Sequence, residues 1–167
     1  MSRTNDLLIR GGGLVLPDVG EVRLGDLFVR EARITQVSKG LRGERAKVIS
    51  VEGLYVAPGF IDLHVHGGGG ADFMDASPEA LETIFATHTR HGTAGLLATL
   101  LPAPLEAMQR ALHVAAEYRT LWLLGVYLEG PFVSRTKKGA FDPQWILPPN
   151  PSALRALLER QVIRIVT

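Results

Sequence analysis

The sequence contains no cysteine. That removes disulfides and thiolate metal sites, so any metal must be held by histidine and carboxylate. The absence also fits a reducing compartment. Excess charge is lacking too: 18 lysines and arginines against 17 aspartates and glutamates leave +1 over 167 residues. No field of one sign points to nucleic acid or to an anionic membrane. No apolar run approaches membrane-spanning length, and Met1-Ser2-Arg3-Thr4-Asn5-Asp6 lacks the apolar stretch of a secretory leader. A cytoplasmic location is the expectation. What remains is a globular composition, 46% hydrophobic and 21% charged, in a chain long enough for a sizeable core.

The pattern changes character near Pro58. Residues 7–57 read as short strands with turns. Residues 7–10 lead into Gly11-Gly12-Gly13 and then 14–16, while 26–30 and 33–37 flank a tight Glu31-Ala32 turn, a hairpin signal. A further strand covers 47–51. Residues 1–57 are therefore expected to form a small, incomplete β-sandwich-like domain. After Pro58 strands and helices alternate. Ser77-Pro78 is a helix start, with Ser as cap and Pro in the first position. Leu81, Ile84, Phe85 and His88 then share a helix face, and Gly92 follows as a stop. An apolar strand over 94–100, a helix over 105–118 and a strand over 123–129 come next. Ser152 is expected to cap a short helix carrying Leu154, Leu157 and Leu158, before a strand over 162–166. This order predicts an α/β unit with a parallel sheet built from βαβ crossovers.

Two segments carry chemistry. Pro58-Gly59-Phe60-Ile61-Asp62-Leu63-His64-Val65-His66-Gly67 reads as a strand ending in two histidines. Alternation puts Phe60, Asp62, His64 and His66 on one face, and Ile61, Leu63 and Val65 on an apolar opposite face. Two imidazoles so spaced can reach one metal, and Gly67 to Gly70 leave open space beyond them. The second segment is Tyr127-Leu128-Glu129-Gly130-Pro131. Glu129 closes the third parallel strand on the same rim as the histidines, where α/β sheets place their chemistry. A carboxylate there ligates one divalent ion or bridges two. A glutamate before a turn is in itself an ordinary solvated residue; it is the pairing with the histidine strand that gives it weight. His88 reads as a packed residue, His91 as a partner of the helix dipole, and His113 as surface. Asp62 reads as an orienting group, and Trp122 and Trp145 as packing residues.

These segments carry a resemblance. "PGFIDLHVHG" resembles the first barrel strand of the amidohydrolase superfamily, preceded by its small β domain. "YLEGPF" followed by "KKGA" is similar to the N-acetylglucosamine-6-phosphate deacetylase family. The resemblance implies that residues 58–167 are the first half, about four strands, of a metal-dependent (β/α)8 TIM barrel. A complete barrel takes roughly 250 residues, and 101 follow His66, so the chain is expected to be the front part of something longer, inactive alone. The resemblance implies hydrolysis of an acetamide, with Glu129 as principal metal ligand and His64 and His66 holding a second position. One or two divalent ions are implied, zinc or iron first. The general acid/base aspartate and two further histidines would lie beyond Thr167. Ala140 and Phe141 would contact a phosphorylated amino sugar. Phe141 departs from the family, which has a histidine there, and phenylalanine cannot make the same hydrogen bond. Lys137 and Lys138 are either a solvated pair or an attractor for the sugar phosphate. A homodimer is the implied assembly. Two other readings stand beside this one: an amidohydrolase acting on a cyclic amide, and a truncated non-catalytic relative.

Overall fold

The structure is a computed structural model and describes residues 6–118 and 120–167. The chain divides after Pro58 into two compact units.

The first unit is a five-stranded sheet. Strands β1 (Leu7–Leu16), β2 (Glu21–Arg30), β3 (Arg33–Ser38) and β4 (Lys47–Ser50) are ordered β3-β2-β1-β4, and β5 (Tyr55–Val56) also pairs with β1. The β2–β3 hairpin turns on Glu31 and Ala32, with φ of 50° and 58°. Positive φ at both central residues matches the right-handed twist of the flanking strands. The three glycines do not end the first strand; β1 runs through them with a register shift between Ile9 and Gly12. Two features carry it through. The N–H of Gly11 donates to Asp26 Oδ1 at 2.8 Å. At Gly12 a Cβ would lie 2.8 Å from Val56 Cγ2, so only glycine lets the strands approach. Asp26 is 5% exposed and also accepts from Leu41 N at 2.9 Å, tying the far loop to the sheet.

The second unit is built on a parallel four-stranded sheet. Its strands are β6 (Phe60–Val65), β9 (Thr93–Leu100), β10 (Leu123–Leu128) and β11 (Ile163–Val166), ordered β11-β10-β9-β6. A two-stranded ribbon, β7 (Gly67–Gly68) and β8 (Ala71–Asp72), follows β6. The crossovers carry helices α1 (Pro78–Thr89), α2 (Leu105–Glu117) and α3 (Pro151–Leu158). Ser77 caps α1, its Oγ accepting from Ala80 N at 3.1 Å, with Pro78 in the first turn. Helix α3 begins differently from expectation. Its cap is Asn150, whose Oδ1 accepts from Ser152 N and Ala153 N, while Ser152 lies inside the first turn. Pro151 explains the shift: proline suits the first helical position, which makes the residue before it the cap.

Helices α1 and α2 pack on β9 and β10. Ile84 and Phe85 of α1, Met108 and Leu112 of α2, and Leu96 and Val126 of the sheet are buried together. Each such side chain contributes about 1.5–3 kcal/mol of burial energy. The apolar face expected on β6 is only partly covered. Val65 packs on this core, whereas Ile61 and Leu63 are 54% and 55% exposed. β6 is an edge strand, and the helices sit over its neighbours.

Candidate metal centre

Because β6, β9 and β10 are parallel, their C-terminal ends meet on one rim. Glu129 is the first residue past β10, and its N–H continues the ladder to Leu100 O at 3.0 Å. Gly130 follows with φ of 89°, and a Cβ there would lie 2.8 Å from Pro102 Cγ. Only glycine turns the chain aside at that point, leaving the Glu129 side chain directed at the rim.

On that rim His64 Nε2 and His66 Nε2 are 3.2 Å apart, and each is 3.3 Å from Glu129 Oε2. The two ring nitrogens and the carboxylate oxygen thus form a nearly equilateral triangle. Such a triangle is one face of a donor tetrahedron whose centre lies about 2.0 Å from each corner, the ordinary zinc–nitrogen distance. The donor set, two imidazoles and a carboxylate, is the one a cysteine-free chain has for a divalent ion. His66 Nδ1 is buried with no hydrogen-bond partner among the described residues. The distances and the chemistry of the donor set fit a metal.

The surroundings hold these groups in place. The His64 ring meets the Tyr127 ring edge-on at 4.9 Å, and Tyr127 Oη lies 2.6 Å from Thr167 Oγ1. The carbonyl of His66 accepts from Phe73 N at 2.9 Å. The carbonyl of Gly67 accepts from His88 Nε2 at 3.0 Å, which fixes the proton of His88 on that nitrogen. His88 is thus a structural clamp on the ribbon beyond the cluster.

A cavity of about 730 Å³ opens beside the triangle, its wall including His66, Glu129, Pro102, Val133, Ala140 and Phe141. The structure brings His64, His66 and Glu129 into one cluster and sets Ala140 and Phe141 on the wall of the adjoining cavity. Lys138 Nζ donates to Phe141 O at 2.9 Å and Gly139 O at 3.3 Å, so it shapes the loop that presents Phe141. Asp62 stands outside the triangle and accepts from His64 N.

Tyr127 and Thr99 are not among the residues expected from the sequence. Both left a trace in the sequence: Tyr127 stands two residues before Glu129 on a strand, hence on its face, and Thr99 is the one polar residue in the apolar run of 94–100.

The chain has counterparts among known proteins. An N-acetylglucosamine-6-phosphate deacetylase of Bacillus subtilis (strain 168) is 37% identical over 120 residues, 66% of this chain and 30% of the relative. An N-acetylgalactosamine-6-phosphate deacetylase of Escherichia coli O157:H7 is 37% identical over 94 residues, 53% of this chain and 25% of the relative. The crystal structure of N-acetylglucosamine-6-phosphate deacetylase from Pasteurella multocida superposes with a TM-score of 0.88 at 27% identity, over 96% of this chain and 44% of that one. The chain resembles part of the N-acetylglucosamine-6-phosphate deacetylase family. It spans well under half the length of the curated relatives it matches. No family model matches the chain. The fold shared with these deacetylases covers the β unit and the parallel α/β unit alike, since the superposition leaves only a few per cent of this chain unmatched. No helix among the described residues is long and apolar enough to cross a membrane.

Proposed function

We propose that this chain is the N-terminal portion of a metal-dependent deacetylase that converts N-acetylglucosamine 6-phosphate to glucosamine 6-phosphate and acetate. One observation carries the reading: the triangle of His64, His66 and Glu129 on the rim of a parallel sheet, in a chain similar to deacetylases. In this reading residues 59–167 open a (β/α)8 barrel, and residues 1–58 are its small β domain. Glu129 is the principal ligand. His64 and His66 complete the holding of the same ion or hold a second one, zinc or iron in either case. The ion would polarise the amide carbonyl and lower the pKa of a coordinated water.

The chain's own residues do the rest of what this portion can do. Tyr127 and the bonds to Phe73 and His88 fix the orientation of the histidine strand end. Phe141, Pro102 and Val133 give the cavity an apolar wall that keeps water from the substrate's flank. Ala140 offers backbone groups to the sugar, and Lys138 holds that loop in shape. In this reading the 167 residues, which span well under half of the relatives' length, are expected to release no acetate on their own.

The test is a chimera in which this chain replaces the matched segment of the Bacillus subtilis relative. It should release acetate from N-acetylglucosamine 6-phosphate, and lose that activity with chelator and with Glu129→Gln. Chelator-insensitive turnover would defeat the metal mechanism. The apolar Phe141 favours one second reading, a cyclic amide substrate. A panel of the glucosamine substrate, its galactosamine epimer, the unphosphorylated sugar and a cyclic amide separates the two, since only the first reading predicts that removing the phosphate abolishes turnover.

A further inference from the structure

Two side chains beside the triangle have a task that the metal reading leaves unassigned. Between Asp62 and Val65 strand β6 takes three steps while β9, from Leu96 to Ala98, takes two. The extra residue is a β-bulge, which unpairs backbone groups and re-aims the side chains next to it. Side chains at i and i+2 on a regular strand start about 6.6 Å apart, yet the ring nitrogens of His64 and His66 meet at 3.2 Å. Acceptors stand on both sides of the bulge. Asp62 Oδ1 takes the N–H of His64 at 3.0 Å, and Thr99 Oγ1 takes the N–H of Val65 at 3.0 Å. Thr99 is fully buried in an apolar strand, a position where a hydroxyl is costly unless it is bonded.

We infer that Thr99 and Asp62 are positioning residues: together they hold the β6 bulge in the one shape that converges His64 and His66 on Glu129. This rests on the metal reading of the triangle. Neither residue donates to the ion. Thr99 fixes the backbone between the two histidines from the core side, and Asp62 fixes it from the rim. Each accepts a backbone N–H within the shifted segment.

Cobalt(II) titration of the full chain, followed by its ligand-field absorption, tests this, with thermal unfolding of the metal-free samples measured beside it. The parent should develop a cobalt band. Thr99→Val and Asp62→Ala, which keep size or exposure but remove the acceptor, should weaken cobalt binding by about tenfold or more and alter the band, as loss of outer partners does at metal sites. Thr99→Ser and Asp62→Asn, which keep an acceptor oxygen, should restore the parental band. If Thr99→Val does not fold, the half-buried Asp62 pair decides alone. Parental binding by folded Thr99→Val and Asp62→Ala overturns the inference and leaves the metal reading standing, as does equal loss in the Ser and Asn variants. A parent that gives no cobalt band overturns the metal reading, and the inference with it.

Discussion

Asp26 and Glu129 are carboxylates set in opposite surroundings, one in each unit. Glu129 faces an open rim beside the two imidazoles. Asp26 is enclosed, and its charge is neutralised by the backbone. Burial by itself would raise the Asp26 pKa, but donors from Gly11, Leu41 and Gly40 and the charge of Arg10 outweigh it and hold the carboxyl below its ordinary value. A lowered carboxylate contributes stability that is complete above its unfolded value near 3.8 and disappears as pH falls through the lower folded value. The first unit should therefore lose stability in acid below about pH 4, and Asp26→Asn should remove that component of the acid transition. The variant should also cost about 1–3 kcal/mol at neutral pH, because an amide cannot accept both backbone N–H groups as the carboxylate does. Unfolding followed by circular dichroism across pH checks both. An acid transition identical in Asp26→Asn would show that Asp26 has no part in it.

At the scale of the element, the cap of α3 separates two near neighbours. Asn150→Ala should destabilise the second unit by about 1 kcal/mol, while Ser152→Ala, inside the first turn, should stay within about 0.5 kcal/mol. Denaturant midpoints of the two variants decide, and equal effects would contradict the cap assignment. The same helix shows what the sequence conveyed and what it did not. Periodicity and start signals placed α1 and its Ser77 cap well, because Ser-Pro before an apolar stripe leaves few alternatives. In α3 the expected cap is Ser152, and the observed one is Asn150 on the other side of Pro151, because of the position that proline itself prefers. The glycine run in β1 concealed its continuity for a related reason. Three glycines read as a turn until the close approach of β5 and the Asp26 bond are known, and both are long-range. That His64 and His66 share one side of a strand and that Glu129 follows a strand end was legible, because alternation and turn signals are local. The bulge that makes the histidines converge was not, since it depends on register with β9. Thr99 was visible only as an odd polar residue in an apolar strand.

For the whole molecule, the second unit is a parallel sheet whose open rim gathers three donors, and the part of the fold that shapes them lies within the chain. Its likeness to deacetylases rests on both units and on well under half of the relatives' length. On the proposed reading a divalent ion should bind the folded chain at these converged side chains and stabilise it, by about 2.7 kcal/mol at a free concentration a hundred times its dissociation constant. Calorimetric titration of zinc into the 167-residue chain, beside Glu129→Gln, measures this most directly. The parent should bind zinc saturably at one cluster per chain, and the variant should lose that binding beyond the roughly 10–100-fold that an outer partner would cost. Zinc binding of equal strength in Glu129→Gln, or no binding by the folded parent, would contradict the metal reading.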